Sequence, residues 1–170
     1  MISATKRTIV ILGLVLTGSS AFAQDSEIRN FLWVNEDFCT AGQPTIEQLV
    51  ELRDQGVRSV LNLRPAAEYD ATAEETRVRQ LGMTYYNIPV NGANIQDSQV
   101  EEFLGLSDAE ANQPMFIHCA SANRVGAFWL IRRVLRDGWE LSAAQAEAER
   151  VGLRAASLRE FALDYIGRHQ

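Results

Sequence analysis

The hydrophobic and polar positions of this chain follow two periodicities along its length. Short apolar runs, such as 59–63 (SVLNL) and 115–118 (MFIH), are typical of buried strands. Longer segments between them carry apolar residues every three or four positions, as at Ile46, Leu49 and Val50, which is typical of amphipathic helices. This alternation predicts an α/β fold with a small, mostly parallel sheet flanked by helices.

Capping residues and glycines predict where these elements begin and end. Thr45 can cap the first helix, and Gly56 and Gly82 can each end one. The predicted strands lie within 31–40, where the pattern is irregular, and at 59–63, 85–90 and 115–118. The predicted helices lie at 45–55, 71–81, 124–136, 142–151 and 153–167, with one more starting at residue 97 or 98. Parallel sheets bind ligands at the carboxyl ends of their strands, so the residues just after 118 are the first candidates for a site.

The first 23 residues have the pattern of a secretory signal peptide. Lys6 and Arg7 precede an apolar run from Thr8 to Leu16, and 21–23 (AFA) is a small-x-small cleavage pattern. The run is shorter than the roughly 20 residues that a membrane-spanning anchor needs. We therefore expect a signal peptide at 1–23, a single domain at 24–170, and a periplasmic or secreted protein that does not remain in the membrane.

The charge and composition of residues 24–170 limit the possible chemistry. This segment has 14 basic residues, all of them arginine, and 22 acidic residues. The lack of lysine excludes Schiff-base chemistry on these residues, and the acidic excess argues against nucleic-acid binding. The chain has only two cysteines and two histidines, and one of the latter, His169, is next to the C-terminus. Neither a zinc site nor a Ser-His-Asp triad is expected, and no cofactor is predicted.

The segment FIHCASANRVGAFW at 116–129 carries the strongest chemical signal. Cys119 follows an apolar strand, and Arg124 opens the next helix after four intervening residues. Backbone N–H groups in such a turn can point to one centre and, with the helix start, bind an anion. That field favours a cysteine thiolate, and a guanidinium can hold two oxygens of a tetrahedral anion. The pattern predicts a thiolate nucleophile that faces a bound oxyanion, although a buried structural cysteine is the alternative.

The residues around Cys119 are assigned supporting roles. Ser121 can donate a hydrogen bond to the sulfur, and His118 can stiffen the loop or tune the thiolate through hydrogen bonds. The residues predicted to line the anion site are His118, Ala120, Ser121, Ala122, Asn123 and Arg64. The predicted catalytic pair is therefore Cys119 with Arg124.

This loop and the segments before it resemble a known family, the bacterial beta-lactamase-hydrolase-like, phosphatase-like domains, which are similar to dual-specificity phosphatases. The matching segments are AGQP at 41–44, QL at 48–49, GVRSV at 56–60, NLRP at 62–65, YNIPV at 86–90 and HCASANRVGAFW at 118–129. The resemblance implies a cysteine-phosphatase-like fold in which Cys119 attacks phosphorus and Arg124 holds the phosphoryl oxygens. It also implies a phosphorylated small molecule or protein as substrate and a phosphocysteine intermediate that water hydrolyses.

Two features depart from that pattern. Phosphatase loops typically hold five residues between cysteine and arginine, whereas this loop holds four, the length typical of rhodanese-type sulfurtransferases. Ala122 replaces a common glycine, so a left-handed backbone there would be strained by about 1 kcal/mol. The sequence therefore leaves three hypotheses: a phosphatase, a sulfurtransferase that carries a persulfide on Cys119, and a module that binds phosphate without turnover.

The general acid of a phosphatase has no obvious candidate in the loop after 88–90, which contains no carboxylate before Asp97. The other nearby loop offers Glu68 and Asp70, which either act as the acid or cap the next helix. Arg64 either assists anion binding or pairs with these carboxylates.

Cys39 is the second thiol. In an oxidising compartment it could form a disulfide with Cys119 that would switch off the nucleophile. The alternative is that Cys39 is buried and reduced.

Overall fold

The computed structural model describes residues 28–170, so the predicted signal peptide at 1–23 lies outside the described residues. The strands are β1 (Leu32–Trp33), β2 (Phe38–Ala41), β3 (Ser59–Asn62), β4 (Thr84–Asn87) and β5 (Met115–His118). The helices are α1 (Gln48–Asp54), α2 (Thr72–Gln80), α3 (Asp97–Asp108), α4 (Asn123–Leu135), α5 (Leu141–Val151) and α6 (Ala156–His169), with a short 3₁₀ helix at Glu110–Asn112. Within residues 28–170, no helix is long and apolar enough to cross a membrane.

The five strands form one sheet in the order β1-β2-β5-β3-β4. Only β1 runs antiparallel to its neighbour, and the other pairs are parallel. In register, His118 at the end of β5 pairs with Ala41 on one side and Asn62 on the other. The carboxyl ends of the three central strands therefore meet at one point, directly before Cys119.

Helices cover both faces of this sheet, as the alternation of strands and helices predicts. Successive residues of each strand point to opposite faces, so neighbouring side chains enter different cores. One core contains Phe38, Leu61, Ile117, Phe103, Trp129, Leu130 and Tyr165, and thus joins the sheet to α3, α4 and α6. The other core contains Cys39, Val60, Phe116, Leu49, Leu52 and Val78, and joins it to α1 and α2. The predicted α/β class with a mostly parallel sheet is confirmed.

The predicted boundaries differ from the structure mainly at loops that contact other parts of the chain. The β5 prediction is correct at both ends, and Gly56 and Gly82 follow their helices with φ of 97° and 79°. The last helix begins at Ala156 rather than at residue 153. The reason is a tertiary contact: the Asn123 side-chain oxygen accepts hydrogen bonds from the backbone N–H groups of Arg154 and Ala155, at 2.9 and 3.1 Å. That contact holds the segment before α6 against the start of α4.

Candidate active site

Cys119 lies at the carboxyl end of β5, between the ends of β2 and β3. Its side chain is 1% exposed, and its backbone N–H donates to Ala41 O at 3.4 Å. Gly42 and Gln43 lie directly over the loop that follows. A Cβ atom at Gly42 would approach Ala120 O to 2.9 Å, so glycine allows this close contact. The nucleophile candidate is therefore held at the base of a tightly packed turn.

The peptide planes of the loop are oriented by contacts outside it. Ala120 O accepts from Gln43 N–H at 3.4 Å, and Ser121 O accepts from the Asn30 side chain at 3.0 Å. In a trans peptide the C=O and the following N–H point in opposite directions. The N–H groups of Ser121 and Ala122 therefore point away from residues 30 and 43. The predicted anion site requires that these two donors are not taken up by residues 30 and 43, and this orientation meets that requirement.

Ala122 adopts the left-handed conformation that its position after Ser121 requires, with φ of 64°. A left-handed residue between right-handed neighbours lets successive N–H groups converge. The Cβ atom of Ala122 is fully buried and faces Gly152, the residue that follows α5. Gly152, from a different part of the chain, thus leaves room for the Cβ atom of Ala122 in this conformation.

Gly152→Ala is expected to destabilise the fold by about 2 kcal/mol or more, because the residue has φ of 138° and a new Cβ would lie 2.9 Å from Ala122 Cβ. Gly138→Ala is the matched control, since Gly138 also has positive φ, 67°, but a Cβ there meets no atom within 4 Å. Urea denaturation of both variants measures the difference. Equal losses of stability would show that Gly152 does not support the loop.

Arg124 and Glu68 form a bidentate ion pair beside the sulfur of Cys119. Nη1 and Nη2 of Arg124 donate to the two carboxylate oxygens of Glu68, each at 2.8 Å. Nη1 also donates to Val90 O at 2.9 Å. Burial alone would lower the pKa of Arg124, but the hydrogen bonds and charge of Glu68 and the adjacent sulfur of Cys119 raise it. The guanidinium is therefore charged and held in one orientation next to Cys119.

The Nε edge of Arg124 is the part of the guanidinium that remains for a ligand. Across residues 28–170, none of its hydrogen bonds to oxygen atoms uses Nε. A guanidinium can bind one carboxylate through Nη1 and Nη2 and still present Nε to a second anion. Glu68 thus orients the arginine without occupying the whole of it.

Comparison with known proteins identifies the family. A family model described as "DSP-PTPase phosphatase fused to NAD+ Kinase" matches residues 23–157. The chain belongs to this DSP-PTPase family. The beta-lactamase hydrolase-like protein of Agrobacterium fabrum (strain C58 / ATCC 33970) is 34% identical over 109 residues, which are 62% of this chain and 25% of that protein. The match therefore spans about a quarter of the length of this curated relative.

Solved structures of similar fold agree with this assignment. A DUF442 protein of Shewanella putrefaciens CN-32 has a TM-score of 0.71 at 24% identity and covers 84% of this chain and 92% of its own. The core catalytic domain of the S. cerevisiae PP-IP phosphatase Siw14, in complex with citrate, has a TM-score of 0.70 at 25% identity, with 83% and 90% covered. The predicted resemblance to a phosphatase-like family and the cysteine-phosphatase-like fold are confirmed.

The two candidate acids of this DSP-PTPase chain lie in different environments. Glu68 contacts Arg124, and the hydrogen bonds from that guanidinium lower the pKa of the Glu68 carboxyl despite partial burial. Asp70 is exposed at the start of α2, where it accepts hydrogen bonds from the backbone N–H and hydroxyl of Thr72 at 3.0 and 2.6 Å. These bonds lower the pKa of Asp70. The structure brings Glu68 to the loop and places Asp70 at the helix start.

Arg64 lies on the outer side of this ion pair. Its Nε is 3.3 Å from Glu68 Oε1, and Nη1 donates to the Gln43 side-chain oxygen at 2.9 Å. Its guanidinium also stacks over the Tyr69 ring, 4.3 Å from the centroid. Arg64 therefore pairs with one of the candidate carboxylates, as one of the two sequence alternatives expects.

His118 is fully buried, and its contact was not foreseen. Its Nε2 lies 2.9 Å from Glu74 Oε1, and its ring stacks on Phe116. Sequence reasoning missed Glu74, which lies on the same face of α2 as the buried Val78, four residues later. A carboxylate at an apolar position of a helix was the available signal.

Cys39 and Cys119 are both free thiols. Cys39 pairs in register with Phe116, so roughly 10 Å of strand separates it from Cys119, whereas a disulfide needs Cα atoms within about 7 Å. The two cysteines also belong to cores on opposite faces of the sheet. Burial raises the pKa of the Cys39 thiol well above its ordinary value. Cys39 is therefore an inert, buried residue in this arrangement.

Proposed function

We propose that this chain is a cysteine-dependent phosphatase that hydrolyses a phosphomonoester through a phosphocysteine intermediate. The observation that carries the proposal is the Arg124 guanidinium, charged and oriented by Glu68 beside the Cys119 sulfur. The N-terminal pattern supports a periplasmic or secreted location, and the phosphorylated substrate is a small molecule or a protein.

The proposed reaction has two steps. The Cys119 thiolate attacks phosphorus, so that a P–S bond forms and the ester P–O bond breaks, and the leaving oxygen departs with the bonding electrons and is protonated by solvent water. A water molecule then attacks the phosphocysteine, breaks the P–S bond and releases phosphate and the thiolate. Arg124 and the loop N–H groups stabilise the negative charge on the phosphoryl oxygens in both steps.

The protonation states of the two candidate acids, Glu68 and Asp70, restrict which leaving groups the substrate can carry. Glu68 and Asp70 both have lowered pKa values, so both are ionised near neutral pH and neither holds a proton to donate. A substrate whose leaving group departs without protonation is therefore favoured. Aryl phosphates, including tyrosine phosphates, meet this condition better than alkyl phosphates.

A paired assay tests the proposed function. Mature protein is compared with Cys119→Ser and with Cys39→Ala, which removes the other thiol as a control. An aryl phosphate at about pH 6 measures phosphatase activity, and thiosulfate with cyanide measures sulfur transfer. We expect aryl phosphate hydrolysis that Cys119→Ser abolishes and Cys39→Ala retains. Hydrolysis that survives Cys119→Ser would reject the mechanism.

The four-residue spacing between Cys119 and Arg124 is the observation that favours the second candidate, a sulfurtransferase. Thiosulfate turnover that requires Cys119, without phosphate release, would establish it. Silence in both assays together with tight vanadate binding would indicate a phosphate-binding module.

A further inference from the structure

A buried carboxylate, Glu74, lies directly behind the nucleophile loop. It comes from α2, and its side chain contacts His118 of β5 and Gln43 of the loop between β2 and α1. His118 Nε2 lies 2.9 Å from Oε1, and the Gln43 side-chain amide donates to Oε2. The Tyr85 hydroxyl, which accepts from Asn62 Nδ2 at 3.0 Å, also lies near the carboxylate and helps to lower its pKa. A carboxylate removed from water is costly unless donors surround it, and these groups supply them.

The ionisation of Glu74 follows from these contacts. Burial alone would raise the pKa of Glu74, but the charge and hydrogen bond of His118, with the hydrogen bonds from Gln43 and Tyr85, lower it. The carboxylate is therefore an acceptor only, and each neighbour must donate to it. His118 consequently carries its proton on Nε2, since that nitrogen faces Glu74.

The contacts of Gln43 extend this arrangement to Arg124. The Gln43 side-chain oxygen accepts from Arg64 Nη1 at 2.9 Å, so its amide nitrogen is the end that faces Glu74. Arg64 in turn contacts Glu68, which holds Arg124. Each group from His118 to Arg124 thus has an assigned role: Glu74 and Glu68 only accept, Arg64 and Arg124 only donate, and Gln43 accepts from Arg64 and donates to Glu74. A flipped amide at Gln43 would place a donor against Arg64, which only donates, and an acceptor against Glu74, which only accepts.

We propose that Glu74 is a positioning residue for the reaction at Cys119, acting through His118 and Gln43. The proposal rests on the function proposed above. The His118 Nδ1 atom has no hydrogen-bond partner in the part of the chain that the structure describes, so the Glu74 contact and the stacking on Phe116 together orient the ring. The backbone N–H of Gln43 donates to Ala120 O at 3.4 Å. By binding the Gln43 side chain, Glu74 therefore also fixes the position of the segment that covers the loop. Loss of both contacts would misplace the sulfur relative to the bound phosphoryl group.

Glu74→Gln tests this role because glutamine has nearly the same shape as glutamate but replaces one carboxylate oxygen, an acceptor, by an NH2 group, a donor. The new amide nitrogen faces either the Gln43 amide, which is a donor, or His118 Nε2, which can accept from it only if the ring proton moves to Nδ1, where no partner receives it within residues 28–170. We expect kcat for an aryl phosphate to fall about 10-fold with KM little changed, because substrate binding through Arg124 remains. We also expect slower alkylation of Cys119 by iodoacetamide, a measurement that needs no substrate.

The double variant Gln43→Glu with Glu74→Gln restores the pattern of donors and acceptors. The new carboxylate at position 43 accepts from Arg64 and from the new amide at position 74, whose oxygen accepts from His118. Net charge is unchanged, and only the 3.3 Å contact from the Gln43 amide to Pro44 O is given up. We expect kcat and the alkylation rate to recover most of their loss in the double variant. Gln43→Glu alone places a second carboxylate against Glu74, and we expect it to lower both kcat and the alkylation rate.

Glu147→Gln is the matched control for stability. Glu147 is a buried carboxylate away from the loop, bound by Arg133 Nε at 2.5 Å and by Trp129 Nε1 at 2.8 Å. The Glu147→Gln substitution is expected to lower the unfolding midpoint and to leave kcat within about twofold of the wild-type value. A loss of kcat in Glu74→Gln no greater than in Glu147→Gln, or no recovery in the double variant, would overturn the proposal. If the wild-type protein hydrolyses no aryl phosphate but the alkylation rates behave as expected, the proposed function fails and the role of Glu74 stands.

Discussion

Arg124→Lys is expected to reduce kcat/KM for an aryl phosphate about 100- to 1000-fold while the protein remains folded. Nη1 and Nη2 of the guanidinium donate to Glu68, at 2.8 Å each, and neither of these hydrogen bonds uses Nε. An ammonium group places its three donors at one point, so it cannot bind Glu68 and a phosphoryl group in this planar geometry. Steady-state kinetics measures the loss, and circular dichroism with thermal unfolding measures the fold.

Arg133→Lys provides the control for this result. Arg133 lies on the same helix, is similarly buried, and pairs with Glu147 rather than with a residue of the loop. We expect it to lower the unfolding midpoint without a comparable loss of kcat/KM. If Arg124→Lys keeps kcat/KM within about fivefold of the wild-type value, Arg124 is not the main ligand of the reacting anion.

The fold and the position of the loop from Cys119 to Arg124, between β5 and α4, were predictable because their signals are local. The apolar run at 115–118 is as long as β5, and Gly56 and Gly82 end their helices through backbone conformations that glycine favours. The loop from Cys119 to Arg124 contains its own chemistry in six consecutive residues. Such features depend on residues that are close in sequence, so periodicity and spacing are enough to find them.

The partners of the loop were not predictable in the same way, because they come from distant segments. Glu68 and Asp70 are two residues apart in one loop, yet only Glu68 contacts Arg124, 56 residues later. Glu74 meets His118 over a separation of 44 residues. The start of α6 depends on Asn123, which lies more than 30 residues earlier. The sequence indicates which residues are candidates for such contacts, but tertiary packing determines which of the contacts form.

Glu68→Gln is expected to reduce kcat/KM about 100-fold for aryl and alkyl phosphates alike. The glutamine amide keeps at most one of the two hydrogen bonds to Arg124 and removes the charge, so the guanidinium is no longer held in one orientation. We expect this loss not to depend on the leaving group, because the proposed role of Arg124 is to bind the phosphoryl oxygens, which every phosphomonoester carries. Measurement of kcat/KM for a series of phosphate esters with leaving groups of different acidity tests this.

The same series decides between a positioning role and an acid role for Glu68. A general acid matters least when the leaving oxygen is already stable as an anion, so loss of an acid would spare the best aryl phosphates and penalise the alkyl phosphates.

Because Arg124 lowers the pKa of Glu68, the ion pair is intact in the ordinary carboxylate range and above it, and is lost only as the pH falls through the lowered value. Asp70→Asn, which alters an exposed carboxylate bound to Thr72, is the control and is expected to retain nearly full activity. A selective loss on alkyl phosphates in Glu68→Gln would make Glu68 the acid, and the same selectivity in Asp70→Asn would transfer that role to Asp70. A uniform loss in Glu68→Gln alone assigns Glu68 to the orientation of Arg124, and a phosphatase built in this way depends on substrates whose leaving groups need no proton.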